Sequence, residues 1–393
     1  MIRVIRKVSF GLRTQGLKYL YRAPFNEFQY PRLSATRALR RVLVSARDKL
    51  SPQAAAFSRW SDDALLFIYD LAVGPVTFDF ISYLAAAELT RRRKRLAHID
   101  VVFVTRQDGS LRKEMPDYDA EVDSTSRMWR LRNILLPSLA LLPSVRSFAM
   151  CASREQAKKL AAGAESQIYP PDYRVELPCQ PVKSRLHDMV RERNEVWPML
   201  RASGAASRYV KSYLDKVAGH RLPLVISLRN YGFARQRNSR TADWIAFADR
   251  CEKSRFAPIF VPDTEASIAM EPADLGGHPV CLAACWNLDI RMALYEAAWL
   301  NMGVMHGPLE LCWLNQDAHY LIFLPVGTDA VNSADALTEH GHRIGANLDF
   351  ATPYQHIVWE PDELARIEAA FSSFSRTLPG RTRAGDAASA IQG

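Results

Sequence analysis

The sequence predicts an α/β chain built as two Rossmann-like domains facing across a cleft, preceded by a basic N-terminal extension. Three observations predict it. The 393 residues are too many for one comfortable core. Short apolar strands alternate with helical patterns in two successive runs. A polar stretch near residue 205 separates those runs. The expected organisation is a basic leader over 1–55, a first domain over 56–205, a second over 206–378 and a flexible tail over 379–393.

Composition sets other classes aside. The chain is 48% hydrophobic and 24% charged, which is globular usage, and its 22 prolines and 18 glycines follow no period. Charge is unevenly placed. Residues 1–49 hold twelve Lys/Arg against Glu27 and Asp48, a net +10 in a chain of net +9, which leaves the other 344 residues at −1. Basicity therefore belongs to the leader, which argues against a nucleic-acid partner for the body. In the leader, cations alternate with Val4, Ile5, Phe10, Leu12, Leu17, Tyr19, Leu20, Tyr21 and Phe25. Such a pattern suits an amphipathic segment on an anionic membrane surface. No uninterrupted apolar core follows the basic start, so a secretory signal is not expected, nor is a membrane span. The body is expected to be cytoplasmic, peripheral at the inner face of the plasma membrane. Six cysteines in mostly apolar runs read as reduced core thiols, and Cys281-x-x-x-Cys285 lacks a second pair at zinc-like distance.

In order along the chain, Leu65–Ala72 reads as a buried strand, Thr77–Arg95 as a helix and Val101–Val104 as a second strand, a β-α-β seed of a parallel sheet. Met128–Leu142 reads as a helix, Val145–Cys151 as a strand, Glu155–Ala162 as a helix, Tyr169-Pro170-Pro171 as a break and Ser184–Ala202 as a polar helix. The alternation restarts with the strand Leu224–Leu228, a helix over Ala242–Lys253 and the strand Phe256–Asp263. Pro279–Trp286 is read as strand-like, Ile290–Asn301 as a helix, Leu309–Leu314 as a short helix, Tyr320–Val326 as a strand and Asp362–Phe374 as a helix.

Ligands of open parallel sheets sit beyond the carboxyl ends of strands, which directs attention to the loops leaving Leu228, Asp263 and Met305. The strand ending at Leu228 runs into Arg229, Asn230, Arg235, Arg237, Asn238 and Arg240. Guanidinium forks hold phosphate oxygens in pairs, so diphosphate is the expected guest, with Arg229 best fixed by its strand. His306-Gly307-Pro308-Leu309 frees a turn and starts a helix whose N–H groups and dipole favour an anion. Glu296, on a helix of core residues, must be paired or bind a ligand such as a ribose hydroxyl. Asp70, at a strand end, and Asp79, at a helix start, are the carboxylates placed to act as a general base. Asp117-Tyr118-Asp119 has the form of a manganese motif, but a polar run precedes it, so no metal is expected.

The segments YDLAVGPVTFDF, AAAELTRRR, VVFVTR, ISLRNYGFARQRNS, FVPDT and NLDIRMALYEAAWLNMGVMHGPLELCWLN occur in this order. On them the chain resembles glycosyltransferase-like proteins found with bacterial surface-polysaccharide genes, over about Leu65–Phe374. More remotely, the strand ending in Arg229 is similar to the motif that opens the second domain of GT-B fucosyltransferases and non-hydrolysing nucleotide-sugar 2-epimerases. In those families the arginine contacts donor phosphate. The fucosyltransferases carry His where this chain has Ser227, and the epimerases follow their arginine with an Arg-Glu-Asn run that this chain lacks.

The resemblance implies an inverting, metal-independent transferase that takes a nucleotide-diphosphate sugar and a glycan or lipid-linked acceptor, with no cofactor. Two other readings stand beside it: a nucleotide-sugar epimerase on the same fold, and a non-catalytic nucleotide- or glycan-binding assembly protein.

Overall fold

The computed structural model describes residues 18–50, 61–114, 116–162, 164, 167–180, 182–193, 200–328 and 331–378. The tail expected at 379–393 lies outside the described residues, as do residues 1–17 and 51–55 of the leader.

Two parallel sheets define an α/β fold, and the chain packs as two units. One takes residues up to Asp119 together with Ser144–Met189; the other takes Ala120–Pro143 and the chain from Val190 onward. The units are thus interleaved in sequence rather than divided at one point. The helix Ser124–Arg130, a π turn at Leu131–Leu135 and the helix Leu136–Ala140 pack with the second unit. Arg201 ties this segment down by donating its backbone N–H to the carbonyl of Leu141 at 2.8 Å.

In the first unit, β1 (Ala64–Asp70), β2 (His98–Val104), β3 (Val145–Cys151) and β4 (Ile168–Tyr169) form a parallel sheet in the order β3-β2-β1-β4. Every residue of β1 is buried, which explains its unbroken apolar sequence: a central parallel strand is covered on both faces. Phe80, on the helix Asp79–Arg93, stacks on Phe67 and meets the edge of Tyr69. The last turn of that helix carries Arg91 and Arg92, and both close onto the buried carboxylate of Glu88 at 2.7 Å.

Part of the leader is structured within this unit. The helices Lys18–Gln29 and Ser34–Leu50 form a hairpin, whose turn is held by the Glu27 carboxylate accepting the N–H groups of Arg32 and Leu33. Gln180 donates its N–H to the carbonyl of Gln29 at 3.2 Å.

In the second unit, β5 (Leu222–Ser227), β6 (Phe256–Val261), β7 (Leu300–Val304), β8 (Tyr320–Phe323) and β9 (Gln355–Val358) form a parallel sheet in the order β6-β5-β7-β8-β9. The chain builds outward from β5 to β6, then returns to lay β7 on the other side. The switch point of this sheet therefore lies between β5 and β7. Around it the core packs Trp244, Phe247, Phe256, Trp299 and Phe323.

Several expected elements differ. Pro279–Trp286 is not a strand: Val280 alone bridges to Phe260, and Leu282–Trp286 is helical. The helix expected through Asn301 ends at Ala297, where Ala298 turns extended and Leu300 starts β7. The strands β4 and β9 and the helices Gly204–Val217 and Ala334–Glu339 are additional to those expected.

Candidate functional site

The loop after β5 is organised by its first arginine. Arg229 is 5% exposed, and its guanidinium donates to the carbonyls of Phe233 at 2.6 Å and Ala234 at 3.1 Å and to the side-chain oxygen of Asn238. Its backbone is clasped by Ser239, whose hydroxyl accepts the Arg229 N–H at 2.8 Å and whose own N–H returns to the Arg229 carbonyl. Asn238 also pins Tyr231, accepting its N–H at 3.1 Å and donating to its carbonyl at 3.2 Å. The bonds enclose a left-handed turn at Ala234, φ +54°, a conformation that costs a non-glycine residue about 1–2 kcal/mol. Arg229 and Asn238 hold that turn in place. It leads into the 3-10 turn Arg235–Arg237, on which Arg235 is exposed and Arg237 half-buried.

The loop is also fastened to β6. The N–H of Asn230, whose side chain is exposed, donates to Asp263 at 2.8 Å. Burial pushes the Asp263 carboxyl above its usual range, while the Asn230 N–H and the charges of Arg291, Arg229 and Arg130 pull the other way. Arg130 comes from the interleaved helix and donates to the Tyr231 hydroxyl at 2.8 Å. Glu121 lies against Gly232.

From β7 comes His306, 5% exposed, with Nδ1 2.7 Å from the carbonyl of Val304. Burial pushes its pKa down to about 3; the bond to Val304 opposes this, and the charges of Arg291, Arg229 and Arg237 add to it. The imidazole is therefore neutral, donating from Nδ1 and leaving Nε2 as an acceptor. Arg237 reaches the same strand end, its Nη2 3.4 Å from the carbonyl of Met305.

The feature that sequence reasoning left out is Arg291. It lies on the helix Leu288–Ala297, is 2% exposed, and donates from Nε to the carbonyl of Ala284 at 2.6 Å. Its Nη1 makes no hydrogen bond among the described residues. A buried guanidinium needs compensation, and Asp263 is the carboxylate whose charge acts on it. The signal was present, since Arg291 is a lone cation on a helix of core residues, the same argument that singled out Glu296.

The structure thus brings together Arg229, Asn230, Arg237, Asn238, Asp263 and His306 at the carboxyl ends of β5, β6 and β7, and adds Arg291 and Arg130. Arg235 borders the group. Gly307 and Leu309 continue from His306 as the 3-10 turn Gly307–Leu309, followed by the helix Glu310–Trp313, whose Glu310 is buried. The N–H of Leu309 is bonded to the His306 carbonyl at 3.0 Å. With so few aligned peptides the dipole here is small. Glu296 is engaged elsewhere: it accepts the N–H of Ala202 at 3.0 Å and the amide of Asn315 at 2.8 Å, and burial raises its pKa.

In the first unit the two carboxylates differ. Asp70 is fully buried; Arg154 grips it with two bonds, at 2.8 and 3.2 Å, and the Tyr173 hydroxyl donates to it at 2.8 Å. Asp79 is 37% exposed, accepting from Lys183 at 2.6 Å and from Thr77 at 3.0 Å. Among the described residues no group of three or more His, Cys, Asp or Glu is placed to hold a metal ion, and all six cysteines are free and buried.

No protein-family model and no curated protein sequence matches this chain. Among solved structures, it is similar to the ADP-heptose lipopolysaccharide heptosyltransferase II of E. coli, with TM-score 0.49 and 10% identity over 79% of this chain and 98% of that one. It is also similar to a glycosyltransferase family 9 protein of Veillonella parvula, with TM-score 0.48 and 7% identity over 82% and 92% of the two chains. A third is the E. coli heptosyltransferase WaaC with ADP, TM-score 0.39 and 12% identity over 80% and 99%.

Proposed function

We propose that this chain is a glycosyltransferase that binds the diphosphate of a nucleotide sugar in its second unit and a glycan acceptor in its first. The observation that carries the reading is the convergence of Arg229, Arg237 and Arg291 at the switch point between β5 and β7. In an open parallel sheet that point receives ligands, and guanidinium groups there select an oxyanion. The bonds of Arg229 to Phe233, Ala234 and Asn238 make it a positioning residue for the loop, so Arg237 and Arg291 are the groups assigned to phosphate oxygens. Neutral His306 offers an acceptor to a sugar or ribose hydroxyl rather than a cation to phosphate.

The reaction assigned is inverting and metal-independent. The acceptor hydroxyl attacks the anomeric carbon, its proton passes to a carboxylate, and the bond from that carbon to the donor phosphate breaks. The departing diphosphate carries away the electron pair, and arginines stabilise that charge as it develops. Asp79 is the carboxylate assigned as base, because Asp70 is enclosed by Arg154 and Tyr173. The acceptor assigned is a lipid-linked glycan of surface-polysaccharide biosynthesis, with the enzyme peripheral at the inner face of the plasma membrane.

The test is incubation with ADP-, GDP-, UDP- and CMP-sugars, with and without lipid-linked glycan, reading nucleotide release. Release that depends on acceptor supports transfer. Interconversion of donor isomers without acceptor indicates an epimerase, binding without turnover a non-catalytic partner, and the absence of any binding overturns the reading.

A further inference from the structure

The helix Ser34–Leu50 buries Arg40 and exposes Leu39, Val42 and Leu43. Arg40 is 0% exposed, while Leu39, Val42 and Leu43 are 53%, 64% and 40% exposed. Positions 39, 42 and 43 share one face by helical spacing; Arg40 and Val44, four residues apart, share the face turned into the protein. An apolar row that long would ordinarily be the buried side.

Arg40 sets the orientation. Its guanidinium donates to the carbonyls of Phe28 at 2.8 Å, Leu177 at 2.7 Å and Asp172 at 3.2 Å, and lies 4.7 Å from the centre of the Phe28 ring. Rolling the helix to hide Leu39 and Val42 would strip a buried cation of these partners, which is far costlier than leaving apolar atoms wet. The row is held outward by design of the hairpin. Phe25 and Leu33, on the preceding helix and turn, are also exposed, at 61% and 53%.

Charge identifies what meets the row. Arg37 and Arg41, both exposed and four residues apart, line the flank between the apolar row and the buried ridge. No acid lies between Ser34 and Arg47, which belong to the basic leader described above. A second copy packed about a two-fold axis would set these arginines against one another. An anionic bilayer accepts both features: leucine and valine enter the acyl boundary while the arginine stems reach up to headgroup phosphates.

We propose that the outward face of Ser34–Leu50, Leu39, Val42 and Leu43 with Arg37 and Arg41, is a docking surface for anionic lipid. The proposal rests on the membrane residence proposed above and not on the sugar chemistry. The experiment is co-sedimentation of the full chain with phosphatidylcholine vesicles, with and without phosphatidylglycerol.

Wild type is expected to bind the anionic vesicles, more weakly as salt is added. The Leu39→Ser/Val42→Ser/Leu43→Ser variant is expected to lose about tenfold or more in partition coefficient. The Arg37→Gln/Arg41→Gln variant should lose the preference for phosphatidylglycerol. All five side chains are exposed, and equal melting temperatures verify that the variants fold. Undiminished binding by both variants overturns the assignment of the surface. So does a wild-type dimer that the triple variant converts to monomer, which would make the row an interface between copies. Failure of wild type to bind any vesicle overturns membrane residence as well, while acceptor-dependent nucleotide release would still decide the transferase reading separately.

Discussion

Gly303 passes Ser227 so closely that a Cβ on it would stand 2.3 Å from the Ser227 carbonyl oxygen. The contact joins β7 to β5 at the switch point, where the arginine loop and His306 both originate, and Gly303 adopts φ +155° there. Backbone on one side and backbone on the other leave nothing to yield. Gly303→Ala is therefore expected to cost about 3 kcal/mol or more, read as a lower denaturation midpoint, and to weaken nucleotide binding in whatever protein still folds.

Arg229 should show a loss that charge alone does not restore. A lysine keeps the charge but cannot serve Phe233, Ala234 and Asn238 together. Arg229→Lys is expected to lose about 2 kcal/mol of stability, with faster proteolysis at residues 230–238. An unchanged melting curve would contradict the positioning role.

The two carboxylates of the first unit should separate stability from activity. Asp70→Asn leaves Arg154 without its buried partner and is expected to cost about 3–5 kcal/mol. Asp79→Asn breaks a partly exposed pair with Lys183 and should cost within about 1 kcal/mol, yet abolish acceptor-dependent release. Transfer by folded Asp79→Asn at the wild-type rate would remove it as the base.

His306 gives a pH dependence of defined sign. Its pKa in the folded chain, about 3, lies below the ordinary value near 6.5, so protonation favours unfolding. Its contribution to stability is full above pH 6.5 and is lost as pH falls toward 3, at up to about 1.4 kcal/mol per pH unit. His306→Gln should flatten the urea midpoint against pH across that window, whereas parallel wild-type and variant curves would place the titration elsewhere.

Much of this fold was legible in sequence wherever burial was two-sided and the strand was bounded by turns. The expected strands Leu65–Ala72 and Phe256–Asp263 overlap β1 and β6, each running two residues past the observed strand end. β7 was hidden because Trp299–Val304 is buried like the helix before it, so no change of period marked the end at Ala297. Pro279–Trp286 misled for the converse reason: after Val280 its Leu-Ala-Ala-Cys run favours a helix, and short apolar runs do not declare their period. β9 opens on Gln355, whose buried amide donates to the carbonyls of Asn315 and Ala318, so a polar letter concealed a core position.

The arginine loop was legible because its residues are contiguous. What sequence could not give was the division of labour within it. Arg229, fixed by its strand, spends its fork on the loop itself, while Arg291 arrives from a helix about sixty residues later.

A diphosphate site at the switch point of the second sheet should show itself in the melting temperature when nucleoside diphosphates are added. At least one of ADP, GDP and UDP should raise the melting temperature of wild type by mass action. Arg237→Ala, at a half-buried position of the loop, should melt like wild type when unliganded and show little of that rise. A rise as large in Arg237→Ala as in wild type, or none in wild type with any of the three, would rule out a diphosphate site at this switch point.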